Sequence, residues 1–190
     1  MANAREILSR MKSVQDTRKI TNAMYLISST KLKKSKKLLE ETEPYFYSLQ
    51  DLIRRILRHM PDVEHFYFNP RKEIKEEDRV KGLIVITGDK GLAGAYNHNV
   101  LKMAQEWMEQ SKNHRLYVVG ELGRHYFEAR HIQVEEQFHY TVQNPTMHRA
   151  RLISSTILED YEEGRLDEVW IIYTQMINSM KMEAEMTALL

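Results

Sequence analysis

The sequence predicts an α/β protein: a long N-terminal coiled-coil helix, residues 1–60, is joined to an α/β domain with a mostly parallel sheet, residues 81–190. Two observations predict this class. Apolar residues recur at alternating four- and three-residue spacings over the first 60 positions, and short β-branched runs alternate with helical patterns after residue 80. Residues 61–80, which hold two prolines and a dense mix of charges, are predicted to be a surface linker.

The N-terminal helix is predicted from composition and from spacing. Helix-favouring residues dominate the first 60 positions, which contain no glycine and a single proline, Pro44. The recurrent spacing defines one seam along the helix, and this pattern is typical of a coiled coil. The predicted seam residues are Ile7, Met11, Val14, Thr21, Tyr25, Ser28, Leu32 and Leu39. Because Thr21 and Ser28 bury little apolar area, we expect the helix to need partners on more than one side. A long helix that packs on its own domain is the alternative.

The spacing of apolar residues changes after residue 80. Strands are predicted at residues 82–87, 115–119, 132–139 and 168–175, with residues 182–190 as a hairpin partner of the last. Helices are predicted at residues 99–111, 121–130 and 146–163, and Gly164 is expected to end the third. Strands that alternate with helices imply βαβ units and therefore a Rossmann-like α/β domain with helices on both faces of a mostly parallel sheet.

Charge is balanced overall but unevenly distributed. Lysine and arginine total 28, and aspartate and glutamate total 27, yet residues 1–40 hold ten basic side chains against three acidic ones. A basic helix that binds nucleic acid is therefore one alternative function. The basic residues are spread around the helix and share it with an apolar seam, which favours a helix that faces solvent or protein.

Composition also excludes several classes of site. The chain has no cysteine, so a disulfide framework or a thiolate metal site is ruled out. Arginine and lysine interrupt every early apolar run, which is unlike a signal peptide, and no run approaches the roughly 18 apolar residues of a spanning helix. We therefore expect any membrane association to come through a partner.

The segment 87–97, TGDKGLAGAYN, is the strongest local candidate for chemistry. A glycine-rich turn between a strand and a helix can bind phosphate, so a nucleotide-binding α/β enzyme is a second alternative. Lys90, however, is followed by Gly91 and not by serine or threonine, and the glycines are spaced G-x-x-G-x-x-G instead of G-x-G-x-x-G. A tight structural turn is the favoured interpretation.

No other catalytic or metal site is predicted. None of the eight histidines has a second histidine or a carboxylate in a zinc-binding spacing on a helix. Ser154, Ser155 and Thr156 fall within a helical pattern that lacks the glycine-flanked turn of a nucleophile elbow. We therefore expect no catalytic residue, no metal and no cofactor.

Three blocks of sequence resemble a known family. Residues 12–32 include Lys19-Ile20-Thr21-Asn22-Ala23-Met24, which is similar to the K-x-x-x-A-M pattern of the gamma subunit of F-type ATP synthases. Residues 87–99 resemble that family's strand-and-loop signature, and residues 163–167 and 171–181 resemble a third block. The blocks follow the family's order, and the resemblance covers essentially the whole chain.

This resemblance implies a non-catalytic rotor shaft that couples ion-driven rotation of a membrane ring to ATP synthesis or hydrolysis at alpha/beta sites. It implies as partners the alpha and beta subunits, the epsilon subunit and the c-subunit ring, with no nucleic acid, at the cytoplasmic face of a bacterial cell membrane. Four departures, Gly88, Lys90, Ala93 and Ala95, remove no catalytic group, because the family has none on this subunit.

The resemblance also implies contact residues and a missing segment. Contacts with the lever loops of the beta subunits are expected at Lys19, Ile20, Met24, Lys31 and Lys33. Gamma subunits continue into a second long helix that winds around the first. We therefore expect this sequence to lack its C-terminal helix, the natural partner of the seam.

Overall fold

A computed structural model describes residues 4–60, 65–68, 71, 73–136, 138–178 and 180–190. The chain divides into two compact units, Met1–Val63 and Glu64–Leu190. The first unit is dominated by a single helix. The second contains the other helices and all of the strands among the described residues.

Helix α1 spans Ala4–His59, 56 residues, which confirms the predicted long helix. None of its described residues is buried, and Pro44 lies inside it. Hydroxyl side chains along the helix bond to the carbonyl one turn earlier, as Thr21 Oγ1 does with Thr17 (2.8 Å) and Ser48 Oγ with Pro44 (2.8 Å). These hydroxyl groups therefore have hydrogen-bond acceptors within the helix, whereas the apolar side chains of the helix stay exposed.

The second unit is built on a four-stranded sheet. Its strands are β1 (Lys81–Ile86), β2 (His114–Val119), β3 (Glu168–Met176) and β4 (Met182–Ala188), in the spatial order β2-β1-β3-β4. Strand β1 pairs in parallel with β2 and β3, and β4 pairs antiparallel with β3. The predicted mostly parallel sheet is confirmed, and so is the hairpin at its end.

Three helices cover the two faces of the sheet. They are α2 (Tyr96–Gln110), α3 (Glu121–Glu128) and α4 (Met147–Glu162). Alternate strand residues point to opposite faces, so Leu83 and Val85 pack with α2 and α3, whereas Ile84 packs with α4. Gly164 has a φ of 75°, and this left-handed conformation ends α4 at the predicted place.

The strand predicted at residues 132–139 is wrong. Its described residues form no strand and include a turn at residue 136, and Glu135 N donates to Leu116 O (2.9 Å) as one isolated link to β2. Val134 is buried in the core cluster on the α2 side, whereas Phe138 is buried in the cluster on the α4 side. The apolar alternation that suggested a strand arises because this segment crosses the sheet edge and fills both faces. Residue 137 lies outside the described residues.

The predicted linker at residues 61–80 lies partly outside the described residues, at 61–64, 69–70 and 72. The rest of it belongs to the second unit. Arg71 Nη1 bonds to Asp167 Oδ1 (2.8 Å), and Arg79 Nη1 bonds to Glu168 Oε1 (2.8 Å). Charged side chains of this segment are therefore anchored to residues at the start of β3.

Candidate functional site

The seam of α1 lies open along the helix. Its apolar members are all exposed, including Ile7 at 49%, Val14 at 68% and Tyr25 at 67%, and the small residues Thr21 and Ser28 are exposed as well. A row of this length in which exposed apolar residues recur, interrupted by Thr21 and Ser28, indicates a contact with another chain segment. The seam is therefore the first candidate binding surface of the molecule.

The five residues expected to contact a partner form two rows on α1. Ile20, Met24 and Lys31 are separated by four and seven residues, so they lie on one face within about three turns of helix. Lys19 and Lys33 are 14 residues apart, about four turns, and lie on another face. All five are exposed, and Lys19 bonds to Asp16 (3.3 Å). The helix thus presents these side chains on two faces and not in one cluster.

Most of the positive charge on α1 is unpaired. Two of its ion pairs join Arg10 to Glu6 (2.7 Å) and Lys37 to Glu41 (3.7 Å), and exposed pairs of this kind contribute less than about 1 kcal/mol each. Within the described part of the helix up to residue 40, the basic side chains without an ion-pair partner are Arg5, Lys12, Arg18, Lys31, Lys33, Lys34 and Lys36. This surface suits an acidic partner.

The glycine-rich loop after β1 directs its first polar groups inward. Thr87 is fully buried, its N–H donates to Val119 O (2.9 Å), and its Oγ1 accepts from Gly123 N (3.0 Å). Gly88 N donates to Asn97 Oδ1 (2.7 Å). A phosphate-binding loop needs such N–H groups to face a ligand. The arrangement therefore supports the structural turn that the sequence favours.

Two glycines that the sequence analysis did not single out make this turn possible. Gly120 has a φ of 106°, and a Cβ added there would lie 2.6 Å from Thr87 Oγ1 and closer still to the Thr87 carbonyl oxygen. A Cβ at Gly123 would also lie 2.6 Å from Thr87 Oγ1. The glycine that directly follows the β-branched end of β2 was the available signal for this close approach.

Asp89 joins the same loop to two other segments. Its Oδ1 accepts from Glu121 N (3.2 Å), at the start of α3, and from Val142 N (3.2 Å). A carboxylate at a helix N-terminus is favoured by the helix dipole. The fold of the loop therefore accounts for Asp89 Oδ1, whereas the buried Asp89 Oδ2 has no hydrogen-bond partner among the described residues.

Leu92 stands out at the tip of this loop. It is 95% exposed and has a φ of 61°, a left-handed conformation that is unusual for a leucine. Non-glycine residues held in such conformations cost on the order of 1 kcal/mol or more and occur preferentially at functional sites. This leucine is a further candidate contact residue, and the sequence analysis did not identify it.

A buried polar network lies between β2 and α4 in the second unit. Asp160 is 7% exposed; it accepts from the Tyr117 hydroxyl and from Arg165 Nε (2.6 Å), and Arg115 Nη1 lies 3.5 Å away. Burial, together with the hydrogen bond and charge of Asp160, raises the pKa of Tyr117 far above its ordinary value. The phenol therefore keeps its proton near neutral pH and cannot act as a general base.

An open cleft of about 570 Å³ lies over this network and is lined by Glu135, Thr156 and both arginines, among others. Each arginine is already bonded to a carboxylate, as Arg115 Nε is to Glu135 (2.8 Å). Among the described residues, no three histidine or acidic side chains are close enough together to hold a metal ion. In the same residues, no helix combines the length and apolar composition that a membrane crossing requires.

The fold and its surfaces define a class of protein: an α/β domain joined in sequence to a long helix that presents an apolar seam and unpaired positive charge. The family model described as ATP synthase matches residues 3–190. The chain is 45% identical over 190 residues to the ATP synthase gamma chain of Acetivibrio thermocellus and 46% identical over 189 residues to that of Ruminiclostridium cellulolyticum. The chain therefore belongs to the ATP synthase gamma-chain family.

These matches include all of this chain for the first relative and 99% of it for the second, but only 64% of each relative. Among solved structures, the central stalk and c-ring of the Tetrahymena thermophila mitochondrial ATP synthase includes a similar chain. The similarity has a TM-score of 0.67 at 21% identity and covers 90% of this chain and 72% of the other. This structural likeness supports the fold assignment, and the chain spans about two thirds of the length of its curated relatives.

Proposed function

We propose that this chain is part of the central rotor shaft of an F-type ATP synthase, a non-catalytic subunit. In this role it couples ion-driven rotation of a membrane ring to ATP synthesis or hydrolysis at sites between alpha and beta subunits. The observation that supports this most strongly is the family match over residues 3–190 in a chain whose 56-residue helix buries none of its described residues.

The proposed mechanism is coupling by differential contact. As the shaft turns, each beta subunit meets a different face of α1, and the contacts of that face favour one of its conformations over the others. A rotor can shift such an equilibrium only by as much as its contact energy differs between the states. The shaft transmits torque in this scheme and takes no part in the chemistry.

The contacts with the beta subunits are proposed at Lys19, Ile20, Met24, Lys31 and Lys33. These side chains are exposed, and the unpaired positive charge around them suits acidic lever loops. Exposed ion pairs contribute less than about 1 kcal/mol each, so they allow a sleeve to pass over the helix without locking to it. The apolar seam is proposed to pair with a second helix, such as the remaining third of the relatives' length could supply.

The second unit is the proposed base of the rotor, where the epsilon subunit and the c-subunit ring would bind. The complex would then hold this chain as a peripheral subunit at the cytoplasmic face of a bacterial cell membrane. No cofactor is needed for this role. The inward-facing loop at Gly88 and the arginine–carboxylate network at Asp160 do not favour a nucleotide-binding enzyme.

The test is reconstitution of the full-length protein with alpha and beta subunits. We expect it to restore rotation-coupled ATPase turnover, and Met24→Lys to lower the coupling of hydrolysis to ion transport in the complete complex. A contact change of about 1 kcal/mol alters a rate roughly fivefold. Leu52→Lys is the matched control, because Leu52 is a similarly exposed apolar residue of α1 that lies 19 positions beyond Lys33, outside the proposed contact rows.

Failure of the wild-type protein to stimulate turnover would overturn the proposed function. Equal effects of Met24→Lys and Leu52→Lys would remove Met24 from the contact set and leave the rotor role intact. Micromolar nucleotide binding by the chain alone, measured by calorimetry, would favour the enzyme alternative. A salt-sensitive shift of DNA in a gel would favour the nucleic-acid alternative.

A further inference from the structure

The two edges of the sheet differ. The β2 edge is covered by the segment that follows α3, because Glu135 N donates to Leu116 O (2.9 Å) and Gly120 N donates to Tyr140 O (2.8 Å). The opposite edge is β4, and no described residue of the second unit forms a strand beside it. An uncovered edge strand presents a row of unpaired main-chain groups that can template another strand.

The hydrogen-bond pattern shows which residues face this open edge. Leu189 N donates to Val169 O (2.7 Å) and Ile177 N donates to Lys181 O (3.0 Å), so the odd-numbered positions of this hairpin bond across it. The even-numbered positions therefore direct their N–H and C=O groups outward. They are Met182, Ala184, Met186 and Ala188. No described side chain or loop accepts a hydrogen bond from these four N–H groups.

One face of the open edge is apolar. Met182 is 51% exposed and Met186 is 39% exposed, and Met180, in the turn before the strand, is 95% exposed. Ala184, between the first two, packs against the core on the α2 side of the sheet. Methionine side chains are flexible and polarisable, and they adapt well to the apolar side chains of a bound partner.

The other face of the edge is acidic. Glu183 and Glu185 occupy successive positions on it; Glu183 pairs with Lys181 (2.6 Å), and Glu185 accepts from the Tyr173 hydroxyl (3.2 Å). A second copy of the chain that paired antiparallel here would bring glutamates of the two copies together, and like charges across a strand pair are destabilising. A strand with basic residues at the facing positions would be favoured instead.

We propose that the outer edge of β4 is a docking site for an extended segment of a partner protein in which basic and apolar residues alternate. The main chain of that segment pairs with the four even-numbered residues of β4. Its apolar side chains lie beside Met182 and Met186, and its basic side chains lie beside Glu183 and Glu185. This is strand addition, in which main-chain bonds supply affinity and alternate side chains supply specificity. The site does not depend on the rotor role.

The experiment uses the 190-residue chain and, as a probe, a seven-residue capped peptide of alternating lysine and valine. Amide hydrogen exchange is followed residue by residue by NMR. In the free chain, Glu183 and Glu185 amides are expected to exchange slowly, and Ala184 and Met186 amides to exchange fast. Saturating peptide is expected to slow Ala184 and Met186 by at least about tenfold. Slow exchange of Ala184 and Met186 in the free chain, or no slowing by the peptide, would overturn the proposal.

Two controls separate strand addition from simple charge attraction. The same peptide, N-methylated at alternate residues, keeps its charges but cannot form the ladder, and it is expected to bind at least about tenfold more weakly. Equal binding of the two peptides would contradict the proposed docking mode. The double variant Glu183→Gln/Glu185→Gln is expected to bind about three- to tenfold more weakly. The matched variant Glu106→Gln/Glu109→Gln, on the exposed surface of α2, should bind as the wild type does.

Discussion

Thr87, at the end of β1, is the residue around which the loops of the second unit are arranged. It is fully buried, and its side chain contacts the backbone of both Gly120 and Gly123. These contacts are possible only because neither neighbour has a Cβ. Glycine is therefore required at Gly120 for two reasons, the close approach to Thr87 and a φ of 106°.

Gly120→Ala should accordingly destabilise the second unit by about 3 kcal/mol, because the new methyl group would collide with Thr87 and strain the backbone. Urea unfolding can be followed by the fluorescence of Trp107 and Trp170, which both lie in this unit. Gly91→Ala is the control, since its Cβ would meet no atom within 4 Å. We expect the control to change stability by no more than about 1 kcal/mol, and equal losses in the two variants would contradict the steric explanation.

Glu168, at the start of β3, gives the stability of the second unit a dependence on pH. Burial disfavours its ionised form, but hydrogen bonds from Arg79 and Trp170 and the charges of Lys81 and Arg79 outweigh this, so its pKa lies below the ordinary value. The folded chain thus holds fewer protons at this site than the unfolded chain. The resulting stabilisation is present at neutral pH and is lost as the pH falls through the lowered pKa.

Glu168→Gln should therefore cost about 1–2 kcal/mol at pH 7, and the difference from wild type should shrink as the pH falls below about 4.3, the ordinary glutamate pKa, and through the lowered pKa of the folded chain. Urea midpoints measured between pH 3 and pH 7 would show this convergence. Glu109→Gln, an exposed carboxylate on α2, should leave the profile unchanged. A difference between Glu168→Gln and wild type that stays constant across this range would rule out the ion pair as its source.

At the scale of helices and strands, the elements predicted correctly were those with a clear spacing of apolar residues and a clear signal at their ends. Helix α1, the two-sided apolar strand β1 and the glycine that ends α4 were all predicted correctly. The segment 132–139 was not, because period-2 alternation reports only that successive apolar residues are buried. It does not report that Val134 and Phe138 are buried on opposite sides of one sheet edge.

Side-chain roles were harder to predict than elements. The pairing of Arg71 with Asp167 joins residues 96 positions apart, and no local pattern connects them. The same holds for Arg79 and Glu168, 89 positions apart. Local sequence showed only a charged, proline-containing segment, so it favoured a linker.

Of the candidate site, the sequence identified the seam of α1 and the glycine-rich loop. The exposed Leu92 has no local signal in the sequence beyond its glycine neighbour.

Helix α1 has little tertiary support among the described residues, so its stability depends on local propensity. Pro44 is its weakest point, because proline lacks an N–H group and costs about 3 kcal/mol in a helix interior. Pro44→Ala should raise the helical signal in far-ultraviolet circular dichroism and delay its loss on heating. Glu43→Ala, one residue earlier, should change it little. An unchanged signal in Pro44→Ala would indicate that α1 is already held by other contacts.

At the scale of the whole molecule, the two units differ in how they are stabilised. The second has buried clusters on both faces of its sheet, whereas the first exposes its apolar residues. A protein that leaves so much apolar surface uncovered over 56 residues is built to bind partners along that surface. The family match and the absence of buried α1 residues thus support the same proposal, a shaft that works inside a larger assembly.

The most direct test of this proposal is to watch the chain turn. These 190 residues contain no cysteine, so Glu109→Cys creates a single attachment point among them for a bead on the exposed surface of α2, and every cysteine in the rest of the full-length protein is replaced by serine. The labelled full-length protein is assembled with alpha and beta subunits fixed to a surface. The rotor account predicts stepwise rotation of the bead in one direction when ATP is added and none without it. Steady ATP hydrolysis by the complex with a bead that does not rotate would contradict the account.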